Sequence, residues 1–465
     1  MTNLASLLFE HPFDDDQALV HGTSIRWTKA ETVAKVQAWA DDLRSAGVQA
    51  GQAVTVVRSN APDVIIAMMA IWSVDAVFVP VNPLLPAAGI DEIVSIIRPA
   101  VILDDSGIHR RAGATIHPDG VAFVQWTSGT TGRPKPVLHS HDAYLELLDR
   151  VLGPLRSTPR DPAKTPSPNL IPVSISLNAG IYNVLFGLRA GAPIVVMDRF
   201  STVDFAMLVA RYQIRSTVLP PAAMAMLSDD PLVSDLAPLR YIRSITAPLS
   251  PFQARRFSDK FGVTVLNSYG QAEMGEVIGW TAADAKAHPD KIGAIGRPHP
   301  NVAIRIHEPD GNGVGELLVR PPGHAVGYAD GTDLLDRLTN DGYIRTGDLA
   351  RLDDDGFVWI DGRLGDLINR GGNKIFPEEV EEVLLAVAEV REVAVVGHPD
   401  DRLGQVPVAY VSTTADISDA ALDAACRTQL AAYKVPVRFV RIDSLPRTEV
   451  GKVLRAQLMA MDNPR

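Results

Sequence analysis

The chain has a single cysteine, Cys426, in 465 residues. No disulfide can form within it, and no cysteine-based zinc cluster can be built. Cys426 stands in DAACRTQL, whose apolar spacing is helical, so its thiol reads as a packed helix residue and not as a nucleophile. Positive charge is also short. Lys and Arg number 44 against 55 Asp and Glu, a formal net charge of −11. That balance excludes bulk nucleic-acid binding and polybasic attachment to a membrane surface. Any anionic substrate must then be met by local cations. Long hydrophobic runs are missing too. The most apolar run starts at Val64 and is broken by Asp75 and Pro80, too short to span a bilayer. The N-terminal MTNLASLLFEHPFDDD has no basic stretch and is unlike a secretory signal. The expected location is the cytoplasm. Internal repeats and low-complexity tracts are absent.

What is present reads as a globular enzyme. Hydrophobic residues make up 46% and charged residues 21%, and at roughly 150 residues per domain the length suggests two to four domains. Short β-branched runs alternate with helical patterns from Val54 to Leu266. The expected strands are 54–57, 76–81, 100–103, 121–126, 193–198, 216–219 and 263–266, and Val64–Val74 reads as a buried helix. Several strands are apolar on both faces, which suggests parallel strands covered by helices, an α/β layered domain. Residues 291–362 are rich in Gly, Pro and Asp with short strands, and read as an antiparallel, barrel-like subdomain. From about 364 to 465 strands and helices mix again, with helices expected at Pro377–Ala388 and Asp419–Ala432. Ser157–Pro168 reads as a Pro-rich surface loop.

The densest chemical feature is TSGTTGRPK, directly after the strand VAFVQW. Thr127, Ser128, Thr130 and Thr131 supply hydroxyls, Gly129 and Gly132 let the backbone approach an anion, and Lys135 adds charge. The glycine spacing differs from a Walker A loop. The segment resembles the phosphate loop of the adenylate-forming superfamily, which includes acyl- and aryl-CoA synthetases, adenylation domains of peptide synthetases and luciferases. Further motifs follow in the family's order. NSYGQAE (267–273), YIRTGDL (343–349), GRLGDLINRGGNKIFPEEVE (362–381), LAAYKVP (430–436) and LPRTEVGK (445–452) all resemble its signatures, so the likeness covers nearly the whole chain.

The resemblance implies a two-step reaction. A carboxylate attacks the α-phosphorus of ATP to give an acyl-adenylate, and a thiol, usually coenzyme A, then displaces AMP. It implies a large N-terminal domain over 1–363, containing the barrel-like 291–362, and a mobile α+β C-terminal domain over 364–465. Lys452 would bridge carboxylate and α-phosphate in the transition state, where a cation offsets gathering charge. Glu273 would hold Mg²⁺ through hard oxygen. Tyr269 would stack on adenine, Asp348 would bind the ribose diol, and Arg363 would contact the nucleotide. Thr246, Ala247, Pro248, Asn267, Ser268 and Gly270 complete the expected nucleotide site. Gly371, Gly372 and Lys374 would border a coenzyme A channel, and Gly365 would be the hinge.

The chain departs from the family pattern in four places. Gly365 stands where Asp or Lys is usual, Ala272 replaces the threonine before Glu273, Pro136 replaces a glycine, and the region between Asp105 and Thr127 is short. His139 and His141 lack a third ligand nearby in sequence and read as non-metal residues. The acids of PEEVEEVL suit the first turn of a helix started by Pro377, not a catalytic pair.

The resemblance places the acyl pocket at Ser174–Gly180, Pro220–Met224 and Ser244–Pro248. No acid lies between Ile171 and Gly180 to pair an α-ammonium, which disfavours an α-amino acid. Ala179, Gly180, Ala222 and Ala223 are small and leave room for an aryl or medium acyl group, with Ser176 beside them and Asn178 as a polar anchor. The expected partners are a small carboxylic acid and coenzyme A, with no nucleic acid and no membrane insertion. Two other readings stay open: loading of a carrier-protein thiol, and a non-catalytic nucleotide-binding homologue. A homodimer is compatible with the sequence.

Overall fold

The computed structural model describes residues 3–127, 135–156, 166–447 and 452–461. Its largest sheet has seven strands, in the order Gly327–Tyr328, Lys135–Ser140, Val121–Thr127, Val77–Val81, Ala53–Val57, Val101–Asp104 and Gly107–Arg110. The centre is parallel, as the doubly apolar runs predict: Ala53–Val57 pairs in parallel with both neighbours, and Phe78 registers with Phe123. Both margins are antiparallel. Val121–Thr127 runs against Lys135–Ser140, and Val101–Asp104 against Gly107–Arg110. The strand Lys135–Ser140 is absent from the sequence reading, because KPVLHS offers only one apolar pair between polar ends.

Helix Pro62–Trp72 covers this sheet. It starts with Pro at its first turn, where no amide donor is needed, and is buried at almost every position. A helix apolar all round belongs inside a large domain. The Trp72 indole donates to the Ala122 carbonyl at 2.7 Å, tying helix to sheet.

Three smaller sheets carry the rest of the first 300 residues. Ser216–Leu219, Tyr241–Ser244 and Thr264–Leu266 are parallel and pack against a separate apolar core. Arg26–Thr28, Ala18–His21, Ile194–Val196 and Asn169–Ile171 form a four-stranded sheet. Ser268–Gln271, Gly275–Gly279 and Arg297–Pro298 form an antiparallel one.

The barrel-like expectation for 291–362 is corrected. Ala303–His307, Gly315–Arg320, Ile344–Leu352 and Val358–Arg363 form an open antiparallel sheet, with its first and last strands at opposite edges. The strand texture is as read, but four strands are too few to enclose a side-chain-filled interior. Beyond it, Asn373–Ile375, Ile368–Arg370, Gly404–Thr413 and Val390–Asp400 make a further sheet, with Arg438–Arg441 pairing in parallel to Gly404–Thr413. Helices Pro377–Leu385 and Asp419–Gln429 close a core on this sheet that includes Ile368, Val395 and Leu422. Cys426 lies in that core, and burial pushes its thiol up to about 11. Among the described residues no helix is long and apolar enough to cross a membrane.

Candidate active site

Strand pairing brings the first motif to the sheet's end. Thr127 registers with Lys135 across the hairpin, and the Lys135 amide donates to the Thr127 hydroxyl at 3.4 Å. Ser128, Gly129, Thr130, Thr131 and Gly132 lie outside the described residues. The Lys135 ammonium sits 5.1 Å from the centre of the Tyr328 ring. Gly327–Tyr328 is the next strand of that sheet, and its phenol donates to Glu273 Oε1 at 2.7 Å. Burial and the Glu273 charge push the Tyr328 hydroxyl up to about 12.

Glu273 is buried at the turn between Ser268–Gln271 and Gly275–Gly279. Arg337 donates to the same Oε1 at 2.6 Å, to Gln271 Oε1 at 2.6 Å and to the Arg345 carbonyl. Oε2 of Glu273 accepts no hydrogen bond from the described residues. Ala272 packs its methyl into the apolar group of Val137, Ala325, Tyr328 and Leu334, where a hydroxyl would be out of place.

Asp348 is the second anchor. It faces Arg363 across adjacent strands, and Arg363 Nε donates to Oδ1 at 2.5 Å. Tyr269 Oη and Gln271 Nε2 both donate to Oδ2, at 2.5 and 3.0 Å. A carboxylate has about four acceptor sites, so lone pairs remain for a diol. Burial and the Asp348 carboxylate hold the Tyr269 phenol far above its usual range. Lys452, from the far end of the chain, joins this group. Burial and the Arg363 charge lower its pKa, while Asp348 and Glu273 oppose that shift. Lys452, Asp348, Arg363 and the pair Tyr269 and Glu273 are therefore brought together from four separate segments.

The loop after Tyr241–Ser244 carries Thr246 at φ +70°, a left-handed conformation that is costly for a β-branched residue and is typical of functional sites. Ala247 and Pro248 follow it, and the Ser268 hydroxyl donates to the Ser244 carbonyl at 2.8 Å. Asn267 is buried and gives its oxygen to the Ser268 amide.

Several glycines serve the chain itself. A Cβ on Gly270 would fall 2.0 Å from the Gly275 carbonyl oxygen. A Cβ on Gly180 would fall 2.1 Å from the Ser174 oxygen, so this glycine is needed for the close approach of the Ser174–Ile175 backbone. Gly371 and Gly372, at φ +58° and +90°, form the two-residue turn between Ile368–Arg370 and Asn373–Ile375, a hairpin that requires positive φ at both positions. Lys374 follows them, exposed. Gly365 has no positive φ, and a Cβ there would meet nothing within 4 Å. Ser176 Oγ pairs with Ser174 Oγ at 2.7 Å, Asn178 Oδ1 accepts from Tyr144 at 2.8 Å, and Ala179 and Ala222 stay half-buried.

The two histidines are packing residues. His139 stacks on Phe123 at 4.5 Å and burial takes its pKa to about 3. His141 accepts from the Leu4 amide at 3.1 Å. Tyr328 and Arg337 are absent from the sequence reading, because neither stands in a motif. Gln271 stands inside NSYGQAE, where its place was legible but its link to Asp348 was not.

Comparison with known proteins identifies the family. The AMP-binding enzyme family model matches residues 10–113 and 104–329, and the AMP-binding enzyme C-terminal domain model matches 379–452. A sulfoacetate–CoA ligase of Cupriavidus necator is 35% identical over 367 residues, 74% of this chain and 67% of the relative. The long-chain-fatty-acid–CoA ligase FadD13 of Mycobacterium tuberculosis is 26% identical over 477 residues, 94% of this chain and 93% of the relative. The crystal structure of ATP-bound MatB from Rhodopseudomonas palustris superposes with a TM-score of 0.87 at 25% identity, covering 99% of this chain and 98% of that one. The chain belongs to the AMP-binding enzyme family, the adenylate-forming superfamily, as an AMP-forming acid–CoA ligase that uses ATP and coenzyme A.

Proposed function

We propose that this chain joins a carboxylic acid to coenzyme A through an acyl-adenylate, with Lys452 as the catalytic cation. A carboxylate oxygen attacks the α-phosphorus, the bond to the bridging oxygen breaks, and pyrophosphate leaves. The coenzyme A sulfur then attacks the acyl carbon, the C–O bond breaks, and AMP leaves. The observation that carries the reading is the convergence of Lys452 with Arg363, Asp348 and Glu273. A cation placed there meets both the attacking carboxylate and the phosphate, which otherwise repel each other. Asp348, with acceptor sites left open, takes the ribose hydroxyls. Arg363 orients Asp348 and adds positive charge beside the nucleotide.

Glu273 fits one Mg²⁺: one oxygen is held by Tyr328 and Arg337, and the other is left to donate. Mg²⁺ is typically bound through one or two carboxylates, with phosphates and waters as its remaining ligands. Bound there, it would offset phosphate charge. Lys135 adds a second positive group next to Tyr328.

For the second step we propose that the C-terminal segment turns about Gly365, with Gly371, Gly372 and Lys374 bordering the thiol's path. The acceptor is taken as coenzyme A itself, in the cytoplasm where both cosubstrates are available, and not a carrier protein. The named activities of the two relatives span a short sulfonated acid and a long fatty acid, so the acid is decided by this chain's own pocket.

The test is Lys452→Ala. Pyrophosphate release should fall by about 10²–10³-fold, the usual cost of removing one preorganised charge-stabilising donor. Thioester formation from supplied acyl-adenylate should persist. Pyrophosphate release at the parent rate would overturn the assignment.

A further inference from the structure

Behind the candidate acyl pocket lies a group of buried charges that the two reaction steps leave unused. Tyr182 stands one turn beyond Asn178 on helix Asn178–Arg189, so both share a face. Asn178 gives its oxygen to the Tyr144 phenol, and its amide nitrogen donates to no described residue. Tyr182 is 9% exposed and its hydroxyl has no hydrogen-bond partner among the described residues. Arg150 is 5% exposed. Its Nη2 donates to the Met274 carbonyl at 3.1 Å, while Nε and Nη1 make no hydrogen bond. Arg243 pairs with Glu276, and His299 reaches the same Glu276 oxygen at 2.9 Å.

Donors outnumber acceptors here. Arg243 and His299 occupy the Glu276 oxygen that faces them, and Arg243 holds that carboxyl ionised against the burial that would raise it. Glu146 pairs with Arg150 through Nη1 at 3.4 Å, although neither Nη1 nor Glu146 Oε2 makes a hydrogen bond among the described residues. Two guanidiniums thus share two carboxylates, and Arg150 Nε and the Tyr182 hydroxyl keep no acceptor among the described residues. A buried donor without an acceptor costs about 1–3 kcal/mol, and a buried unpaired charge more. Such a cost is characteristic of a site whose missing acceptor arrives with a ligand. Asn178 and Arg243, the latter with its side chain 15% exposed, stand where the group meets accessible space.

We infer that the acid activated by this enzyme carries a second anionic group at the end remote from its reacting carboxylate, received by Tyr182, Arg150 and Arg243. The inference rests on the acid–CoA ligase reading and adds its substrate class. The anion is a carboxylate or a sulfonate, since both accept several hydrogen bonds at once. A plain alkyl end would leave the same donors unpaired and bury methylenes against guanidinium.

The experiment compares acyl-sulfamoyladenosines of equal length ending in carboxylate, sulfonate or methyl ester, with binding measured by calorimetry on the full chain. A charged end should bind at least about 10-fold tighter than the methyl ester, the scale of one hydrogen bond to a charged group. The better of the two charged ends names the anion. In Tyr182→Phe and in Arg243→Met, the ratio of charged to neutral affinity should collapse towards one. Unchanged affinity for ATP shows that each variant is folded. Equal binding of charged and neutral ends by the parent chain overturns the inference and leaves the ligase reading standing. So does a ratio that survives both substitutions. Failure of all three analogues to bind overturns the ligase reading and the inference together.

Discussion

Two clusters of buried charge differ in what they leave unmatched. Behind the acyl pocket Arg150 and Arg243 share Glu146 and Glu276, and Arg150 Nε and the Tyr182 hydroxyl keep no acceptor among the described residues. Arg455 alone faces Glu381, Glu378 and Asp366 beside the proposed hinge. The first cluster has hydrogen-bond donors to spare. The second has carboxylates to spare, and its surplus is absorbed by a proton. Glu378 has one oxygen sealed from solvent without a partner, and burial together with Glu381 pushes its pKa up to about 7. Spare buried donors near a pocket are a demand for an acceptor. Surplus negative charge around one arginine is a fastening that weakens as protons leave.

The largest effect should come from cutting that fastening. Arg455 donates to Glu381 at 2.6 Å and to the Val395 carbonyl at 2.6 Å, and lies 3.7 Å from both Glu378 and Asp366. It stands three residues after Lys452, at the start of helix Arg455–Met461. Arg455→Met leaves three carboxylates without their cation. The cost should be about 3 kcal/mol, the low end for breaking a buried pair because a fifth of the side chain is exposed. Thermal unfolding should show the loss, and pyrophosphate release should fall about 100-fold as Lys452 loses its support. If the loss is only electrostatic, adding Glu381→Met should recover much of the stability. A double variant no better than the single one would mean that Arg455 acts by packing.

The site's two anchors differ in the same way from what the sequence offered. The motifs located Asp348, Glu273 and Lys452, because Gly-rich and hydroxyl-rich patterns are local. The residues that hold these groups were invisible for the opposite reason. Tyr328 and Arg337 reach Glu273 across 55 and 64 positions of chain, and no local spacing encodes such a contact. Gly371 and Gly372 were legible as a pattern, and the hairpin's positive φ gives them a backbone reason that holds with or without a ligand. In the fold, doubly apolar runs announced the parallel centre. The antiparallel margin Lys135–Ser140 was masked by its polar ends, and sheet closure in 291–362 depends on strand number, which texture does not report.

A smaller effect follows at Asp348. Tyr269→Phe removes one of its three donors but keeps the ring. KM for ATP should rise about 5–10-fold with little change in kcat, since a hydrogen bond to a charged group contributes about 1.5 kcal/mol or less when partners remain. A fall in kcat with unchanged KM would place Tyr269 in the chemical step instead.

Smaller again is the pH response of Glu378. Its folded pKa of about 7 lies above the usual value near 4.3. The folded chain therefore holds this proton more tightly, so the contribution to stability is complete below about pH 4.3 and is lost as pH rises through about 7. A third of the side chain meets solvent, which screens the effect to about 1 kcal/mol. Between pH 6 and 8 the parent should lose about 2–4 °C of melting temperature more than Glu378→Gln. Equal pH dependence of the two proteins would remove Glu378 from the account.

The smallest effect on the first step should come at Gly365, and it separates this state from the next. The position has no positive φ here, and an added Cβ meets no atom within 4 Å. Gly365→Ala should therefore leave pyrophosphate release within about twofold. A glycine substitution is harmful only where φ is positive or space is short. If the second step needs Gly365 in a left-handed conformation, thioester formation from supplied acyl-adenylate should slow while the first step does not. Both half-reactions unchanged would mean that the turn is absorbed elsewhere. Asp366 is then the next residue to change, because it is the one acid of the Arg455 cluster that lies in the connecting segment itself.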